Sequence, residues 1–300
     1  MPEHTDPQRR RVVLITGGSD GIGRVTAHDL AARGDTVVVV SRPHGQGPRV
    51  VDRIRAETGG DVHHLGADLA RLADARAMIA AFRERWSRLD ALVLNAGAYF
   101  ARRQETDEGI ERTWALNHLS PVLTAVLLAE ALLASAPARV VLTSSNAANA
   151  GRIAWDDPEM RHGYQGMRAY AQSKLANQLT AAALARRFDD RGVAVHAMHP
   201  GFVATGFGQE AGAAKPVFRV LQRLFGRTPA QGADTLTYLA TDDAALGTSG
   251  GYWVDRRRRP MAPGARDPHA AERLWGLSVA RAGLSEADLA PLAGLPAIVP

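Results

Sequence analysis

The stretch RVVLITGGSDGIGRVTAHDLAARG, residues 11–34, decides the fold. Val12 to Ile15 form an uninterrupted apolar run, the pattern of a parallel strand buried on both faces. Gly17, Gly21 and Gly23 follow, and from there the pattern is helical. Glycine permits a tight turn and a close approach of backbone to a ligand. A helix beginning at this point offers free N–H groups and the positive end of its dipole to an anion. Strand, glycine-rich turn and helix in that order read as a pyrophosphate site for a dinucleotide. The spacing is T-G-x-x-x-G-x-G rather than G-x-G-x-x-G, and a ligand-free turn of the same composition is the plain alternative.

Outward from this unit, strand and helix patterns alternate. Strands are expected near 11–16, 36–41, 62–66, 91–95, 139–144, 193–198 and 251–254. Helices are expected to begin near 21, 47, 72, 107, 168 and 229. Such alternation predicts an α/β protein, a Rossmann-type doubly wound parallel sheet of about seven strands with helices on both faces. Ligands then gather at the carboxyl ends of the strands. Residues 1–10 read as a polar tail and 11–263 as one domain. Residues 264–300, rich in Ala and Pro, read as an accessory tail too short for its own core.

Composition bounds the function. The chain has 300 residues and no cysteine, which excludes disulfides and thiolate metal sites. The N-terminus MPEHTDPQRRR lacks the apolar stretch of a signal peptide. The apolar segment LTAVLLAEALLASA is interrupted by Glu130 and is too short to span a bilayer. A cytoplasmic location is expected. The net charge of +5 raises nucleic acid as a partner. The excess lies largely in Arg9–Arg11 and Arg256–Arg259, without interleaved aromatics, so both runs read as solvated turns and no specific nucleic-acid partner is expected. The histidines His63, His64, His118, His196 and His199 lie in or beside expected core elements, and no metal site is expected. His162, Trp155 and Tyr164 fall in an insertion before Tyr170. They either touch substrate or pack a long loop.

In AYAQSKLANQL, residues 169–179, Tyr170 and Lys174 are four residues apart on an expected helix, so they stack on one face. An ammonium beside a phenol favours the phenolate and lowers its pKa, which makes the tyrosine a usable acid and base near neutrality.

Together these features resemble the short-chain dehydrogenase/reductase family. The resemblance runs through TGGSDGIG at 16–23, Asp68-Leu69, NAG at 95–97 and Asn117 in ALNHLS. It continues through Ser144-Ser145 in VVLTSSNAA, Tyr170 with Lys174, and HPGFVAT at 199–205. GYQGMRAYAQSKLAN and TPAQGADTLTYLAT are most similar to the branch of retinol dehydrogenases and their bacterial relatives. The resemblance implies reversible hydride transfer between a nicotinamide and a carbonyl carbon of a largely apolar small molecule. It gives Tyr170 the role of proton donor, Lys174 that of depressing the tyrosine and holding the nicotinamide ribose, and Ser145 that of orienting the carbonyl oxygen. Ser144 competes, and Ser145 is preferred as the second serine of the pair. Asn117 would anchor a water linking Lys174 to solvent. Residues 206–227 resemble the family's substrate lid.

The implied cofactor contacts are Gly17, Ser19, Asp20, Gly21, Ile22 and Gly23 in the turn, Asp68 and Leu69 at the adenine, and Asn95, Ala96 and Gly97 at the adenosine. Pro200, Gly201, Val203 and Thr205 would border the nicotinamide. At the end of the second strand a carboxylate would accept from the ribose 2′-hydroxyl and favour NAD. Ser41 and Arg42 stand there instead, and a guanidinium holds a 2′-phosphate. NADP is therefore expected over NAD. Arg24 is a second candidate, readable equally as an exposed helix residue, and Asp20 stands where NADP-preferring relatives often carry a base. A homodimer is left open. A cofactor-binding scaffold without turnover and an arginine-led nucleic-acid binder are the competing function classes.

Overall fold

The structure, a computed structural model, describes residues 10–201 and 227–294. Its strands are β1 (Val12–Thr16), β2 (Thr36–Ser41), β3 (Val62–Gly66), β4 (Ala91–Leu94), β5 (Ala138–Thr143), β6 (Val193–Met198), β7 (Gly251–Val254) and β8 (Arg257–Arg259). The helices are α1 (Gly21–Ala32), α2 (Gly47–Thr58), α3 (Leu72–Arg85), α4 (Arg112–Trp114), α5 (Ser120–Leu127), α6 (Ala129–Leu133), α7 (Gly166–Arg187), α8 (Pro229–Thr241), α9 (Pro268–Arg281) and α10 (Glu286–Leu289). The strands form one sheet in the order β3-β2-β1-β4-β5-β6-β7-β8. The first seven run parallel, and β8 is antiparallel to β7. The order reverses beside β1, so a cleft opens where the β1 and β4 connections diverge, the place where doubly wound sheets bind ligands.

Both faces of the sheet are covered. Val13, Ile15, Val37 and Val39 pack on one side with residues of α1, α2 and α8, while Leu14, Val38, Val40 and Leu92 pack on the other with α3, α5 and α7. All eight side chains are fully buried, which is why these strands read as continuous apolar runs rather than alternating ones.

Two expectations need correction. The sheet has an eighth strand, made from the arginine run that read as a solvated turn. Asp255 and Arg256 both adopt φ of +54°, the backbone of a two-residue hairpin turn. Neither is the Gly or Asn that usually announces one, so the hairpin carried no sequence signal. Arg256 is held there by paired bonds to Asp234. Second, the helix expected near 107 begins at Arg112. A turn at Gly109 (φ +67°) and a Glu105–Glu111 bridge precede it, and Glu111 caps it by accepting from the Thr113 and Trp114 N–H groups. The segment Ala115–Leu119 between α4 and α5 is π-helical, a wider turn that recurs at functional sites. It points Asn117 and His118, adjacent in sequence, both into the interior, where each is 0% exposed.

The C-terminal segment packs on the body. In α9, Leu274 and Trp275 are buried, each contributing about 1.5–3 kcal/mol by removal from water. Glu272 accepts two bonds from Arg187 of α7, whose guanidinium lies 4.1 Å from the Trp275 ring centre. Among the described residues, no helix is long and apolar enough to cross a membrane.

Candidate active site

The cofactor end of the cleft is built largely from backbone. Gly17 (φ +67°) donates to Val40 O at 2.9 Å, which folds the β1–α1 turn over β2. A Cβ on Gly23 would lie 2.4 Å from Gly17 O and 2.7 Å from Asn95 Nδ2, so no side chain fits there. Asp20 caps α1 by accepting from Gly21 N at 2.7 Å, and Arg24 N donates to Asp20 O. That leaves the first-turn N–H groups of Ile22 and Gly23 for an anion. Asn95 Nδ2 donates to Thr16 O at 3.1 Å, and the Thr16 hydroxyl accepts from the N–H groups of Asn95 and Ala96. Thr16 thus pins the β4 exit to the glycine turn, a role that no spacing announced. Asp68 accepts from Ala70 N at 3.1 Å, and Leu69 is buried beside it.

At the end of β2 the two candidate side chains diverge. Ser41 is buried and its hydroxyl lies 2.9 Å from His64 Nε2. Gly47 presses on the pair so closely that a Cβ there would lie 2.2 Å from Ser41 Oγ. Arg42 is exposed at the cleft. Gln46, unremarked in the sequence, donates to Ser19 O at 3.0 Å and bridges the two loops. Arg24 is exposed on the flank of α1, near Glu57.

The other end is built from side chains. Tyr170 and Lys174 share a face of α7 and are 9% and 3% exposed. Ser145, just past β5, bonds to the Tyr170 phenol. Ser144 is turned the other way, its hydroxyl donating to Lys174 O at 2.7 Å and accepting from Gln178. Of the two adjacent serines, Ser145 thus faces the Tyr170 phenol and Ser144 faces away from it. Lys174 Nζ donates to Thr143 O at 3.0 Å and lies 5.6 Å from the centre of the Tyr170 ring. Asn117 accepts from Ala98 N and donates to Ala98 O and Ser173 Oγ, all within 3.0 Å. A Cβ on Gly97 would stand 3.1 Å from Lys174 Nζ and 3.2 Å from Asn117 Oδ1, so a side chain there would push both polar groups back.

The expected depression of Tyr170 by Lys174 is absent from this geometry. Burial pushes the phenol up to about 12, with the Ser145 bond pulling against it. Burial also pushes Lys174 down to about 8. The ammonium is turned to the Thr143 carbonyl and lies over the ring rather than at the phenol oxygen. Nearby, His199 is pushed down to about 4, by burial first and by Arg227 second, and its Nδ1 has no hydrogen-bond partner. Pro200 and Gly201 follow it, with the side chain of Arg227 packed against Gly201 and paired to Asp255. Val203, Thr205 and all but the last residue of 206–227, the expected lid, lie outside the described residues.

The insertion is a packed wall. The Tyr164 hydroxyl donates to Phe100 O at 3.0 Å and meets Thr113 and Glu111. Trp155 lies under the Arg273 guanidinium, 4.4 Å away. His162 is exposed beside Asp157. Glu159 is buried and accepts from Arg281 of α9 at 2.5 Å. Tyr99, which the sequence did not single out, stands edge-on to Tyr170 with ring centres 6.4 Å apart. No group of acidic, His or Cys side chains among the described residues could hold a metal. A groove of about 720 Å³ lies elsewhere, lined by Tyr252, Arg258, Met261 and Arg266, and none of the catalytic candidates reaches it.

Residues 11–216 match the family model described as short chain dehydrogenase. A Streptomyces protein (strain C5) named as a candidate daunorubicin C-13 ketoreductase is 39% identical over 286 residues, covering 94% of this chain and 97% of that one. Human retinol dehydrogenase 14 is 34% identical over 291 residues, covering 91% and 87%. A solved structure, the Pseudomonas aeruginosa RhlG/NADP active-site complex, superposes with a TM-score of 0.64 at 28% identity, covering 81% of this chain and 93% of that one. The chain belongs to the short-chain dehydrogenase/reductase family, on its retinol dehydrogenase-like branch, and is an NAD(P)-dependent oxidoreductase that interconverts carbonyl and alcohol.

Proposed function

We propose that the chain is an NADP(H)-dependent reductase of a ketone or aldehyde carried on a largely apolar small molecule. The observation that carries this reading is the convergence of Ser145, Tyr170 and Lys174 beside Asn117, at the carboxyl edge of the sheet and next to a glycine-lined turn. NADPH, when bound, supplies the hydride. Gly17, Ser19, Asp20, Gly21, Ile22 and Gly23 would hold its pyrophosphate side, Asp68, Leu69, Asn95, Ala96 and Gly97 its adenosine, and Pro200 and Gly201 its nicotinamide side, with Val203 and Thr205 beyond the described residues. The cradle suits such a group, because glycine at 17 and 23 lets the turn close tightly on Asn95 and Ala96 and leaves the first-turn N–H groups of Ile22 and Gly23 free for an anion. Arg42 would meet the 2′-phosphate, as an exposed guanidinium suits, and the structurally similar RhlG complex contains NADP.

In the reductive direction, negative charge develops on the carbonyl oxygen. Ser145 donates a hydrogen bond to it and Tyr170 donates the proton. A phenol pushed up to about 12 keeps its proton at neutral pH, so the donor form is ready. Lys174, charged below about 8 and held by the Thr143 carbonyl, would bind the nicotinamide ribose beside the reacting carbon. The apolar character of the substrate is supported by the Tyr99 ring edge-on to Tyr170 and by Met167, 47% exposed one turn before it. One relative is named for the C-13 ketone of daunorubicin and another for retinol. The reading treats 11–263 as the catalytic unit and 206–227 as its substrate lid.

The test is NADPH consumption with a panel of aryl, alicyclic and long-chain ketones and aldehydes, repeated with NADH. Turnover that favours NADPH and bulky apolar carbonyls supports the reading. Cofactor binding without turnover on any carbonyl would favour a scaffold.

A further inference from the structure

Behind the catalytic lysine lies a buried chain of polar groups that the reaction scheme leaves unused. The carbonyl of Thr143 receives two donors, Lys174 Nζ at 3.0 Å and Asn177 Nδ2 at 3.1 Å. Asn177 is 2% exposed and sits one turn after Ser173 on α7. Its Oδ1 makes no well-aligned hydrogen bond, and neither does Nδ1 of His118, which is fully buried. Buried orphans of this kind are rare and call for a reason. The Asn177 side chain lies within reach of the His118 ring, so a small rotation of either would pair the two. The far nitrogen, Nε2, lies 2.7 Å from Ser278 Oγ on α9. The Trp114 ring, 4.3 Å away between centres, fixes the imidazole plane. The π-helical turn makes this possible by directing His118 inward together with Asn117, so that one side chain meets Asn177 and the other Ser173.

We propose that Asn177, His118 and Ser278 are positioning residues that aim the Thr143 carbonyl at Lys174, so that the C-terminal helix α9 takes part in holding the catalytic lysine. The inference rests on the reading of Lys174 as catalytic. One tautomer satisfies the chain. Neutral His118 donates from Nδ1 to Asn177 Oδ1 and accepts at Nε2 from the Ser278 hydroxyl, which otherwise donates to Leu274 O. Burial holds His118 in the neutral form by pushing it down to about 3. Among the described residues, the titratable groups facing Lys174 are Tyr170 on the same helix and His199 after β6. The residues around His118 (Trp114, Asn177 and Ser278) do not titrate in the working range.

The sign of the effect follows. A carbonyl aimed at an ammonium favours its charged form. If the carbonyl swings away, Lys174 loses its proton at lower pH, and the alkaline fall of reductive turnover moves downward. The experiment compares Ser278→Thr with Ser278→Val, two side chains of one shape of which only Thr keeps the hydroxyl. Lys174→Met is the reference. Ser278→Val should reduce turnover about threefold to tenfold, the worth of one ordinary hydrogen bond, and move the alkaline limb down, while Ser278→Thr stays near wild type. Asn177→Leu should do the same more strongly. Equal behaviour of Val and Thr, or lost turnover with an unmoved limb, overturns the proposal and leaves a structural contact, and the serine pair decides this even if Asn177→Leu does not fold. If Lys174→Met itself keeps normal turnover and the same limb, the catalytic reading beneath the proposal fails instead.

Discussion

The two ends of the cleft are made differently. The cofactor end is shaped by missing side chains: Gly17 and Gly23 let the turn close up where a Cβ would collide. The catalytic and substrate end is shaped by side chains that reach across long stretches of sequence, such as Lys174 to Thr143 and Arg281 to Glu159, the latter 122 residues apart. Backbone sites depend on local conformation and tolerate little substitution. Side-chain sites depend on distant contacts and should fail by degrees.

The largest expected effect short of removing the proton donor is on the side-chain end. Lys174→Met should lower reductive turnover about 10²–10⁴-fold, the range for loss of acid–base assistance. It should also erase the pH dependence near 8. Lys174, pushed down to about 8 by burial, is charged below that pH and neutral above it, so wild-type turnover should fall as pH rises through 8 and the variant's should not. A pH–rate profile of both proteins checks this.

On the backbone end, Gly23→Ala puts a Cβ 2.4 Å from Gly17 O, a backbone atom that cannot step aside. Cofactor affinity should drop by about 100-fold, the upper end of an overpacking penalty. Calorimetric titration measures it. A variant that binds normally would mean that the turn is not the pyrophosphate seat.

The cofactor end has one proposed side-chain discriminator, Arg42, and changing it sharpens the contrast. Arg42→Asp should weaken NADPH by about tenfold or more while NADH changes little, the loss of a charge-assisted bond. The ratio of kcat/KM for the two cofactors reports it, and an unchanged ratio removes Arg42 from that role.

Least affected should be Arg281→Gln, which breaks the clasp between α9 and the insertion. Arg281 is about one-third exposed, so solvent screening limits the loss to about 1–2 kcal/mol of stability. The ketone KM should rise a few-fold with cofactor affinity unchanged. Thermal melts and KM measured together separate the two effects.

The same contrast explains what the sequence made legible. The β1 strand, glycine turn and α1 are contiguous, and each rule that reads them acts over a few residues. Tyr170 and Lys174 were legible for the same reason, being one helical turn apart. The β7–β8 hairpin was not, because Asp255 and Arg256 hold a left-handed backbone without Gly or Asn. The inward turn of Ser144, the Thr16 pin on Asn95 and the packing of α9 depend on partners far along the chain, and no local pattern marks them. The expected influence of Lys174 on Tyr170 was a pairwise argument that omitted burial, and burial is the largest cause acting on both groups.

The central claim is that Tyr170 gives the proton while the rest of the cleft binds and places the reactants. Tyr170→Phe tests it most directly, because the ring is retained and only the hydroxyl is lost. The NADPH dissociation constant and the turnover on the best carbonyl of the panel are measured on the same preparation. The account predicts near-normal NADPH affinity with turnover reduced about 10²-fold or more. Near-normal turnover in the variant would contradict it.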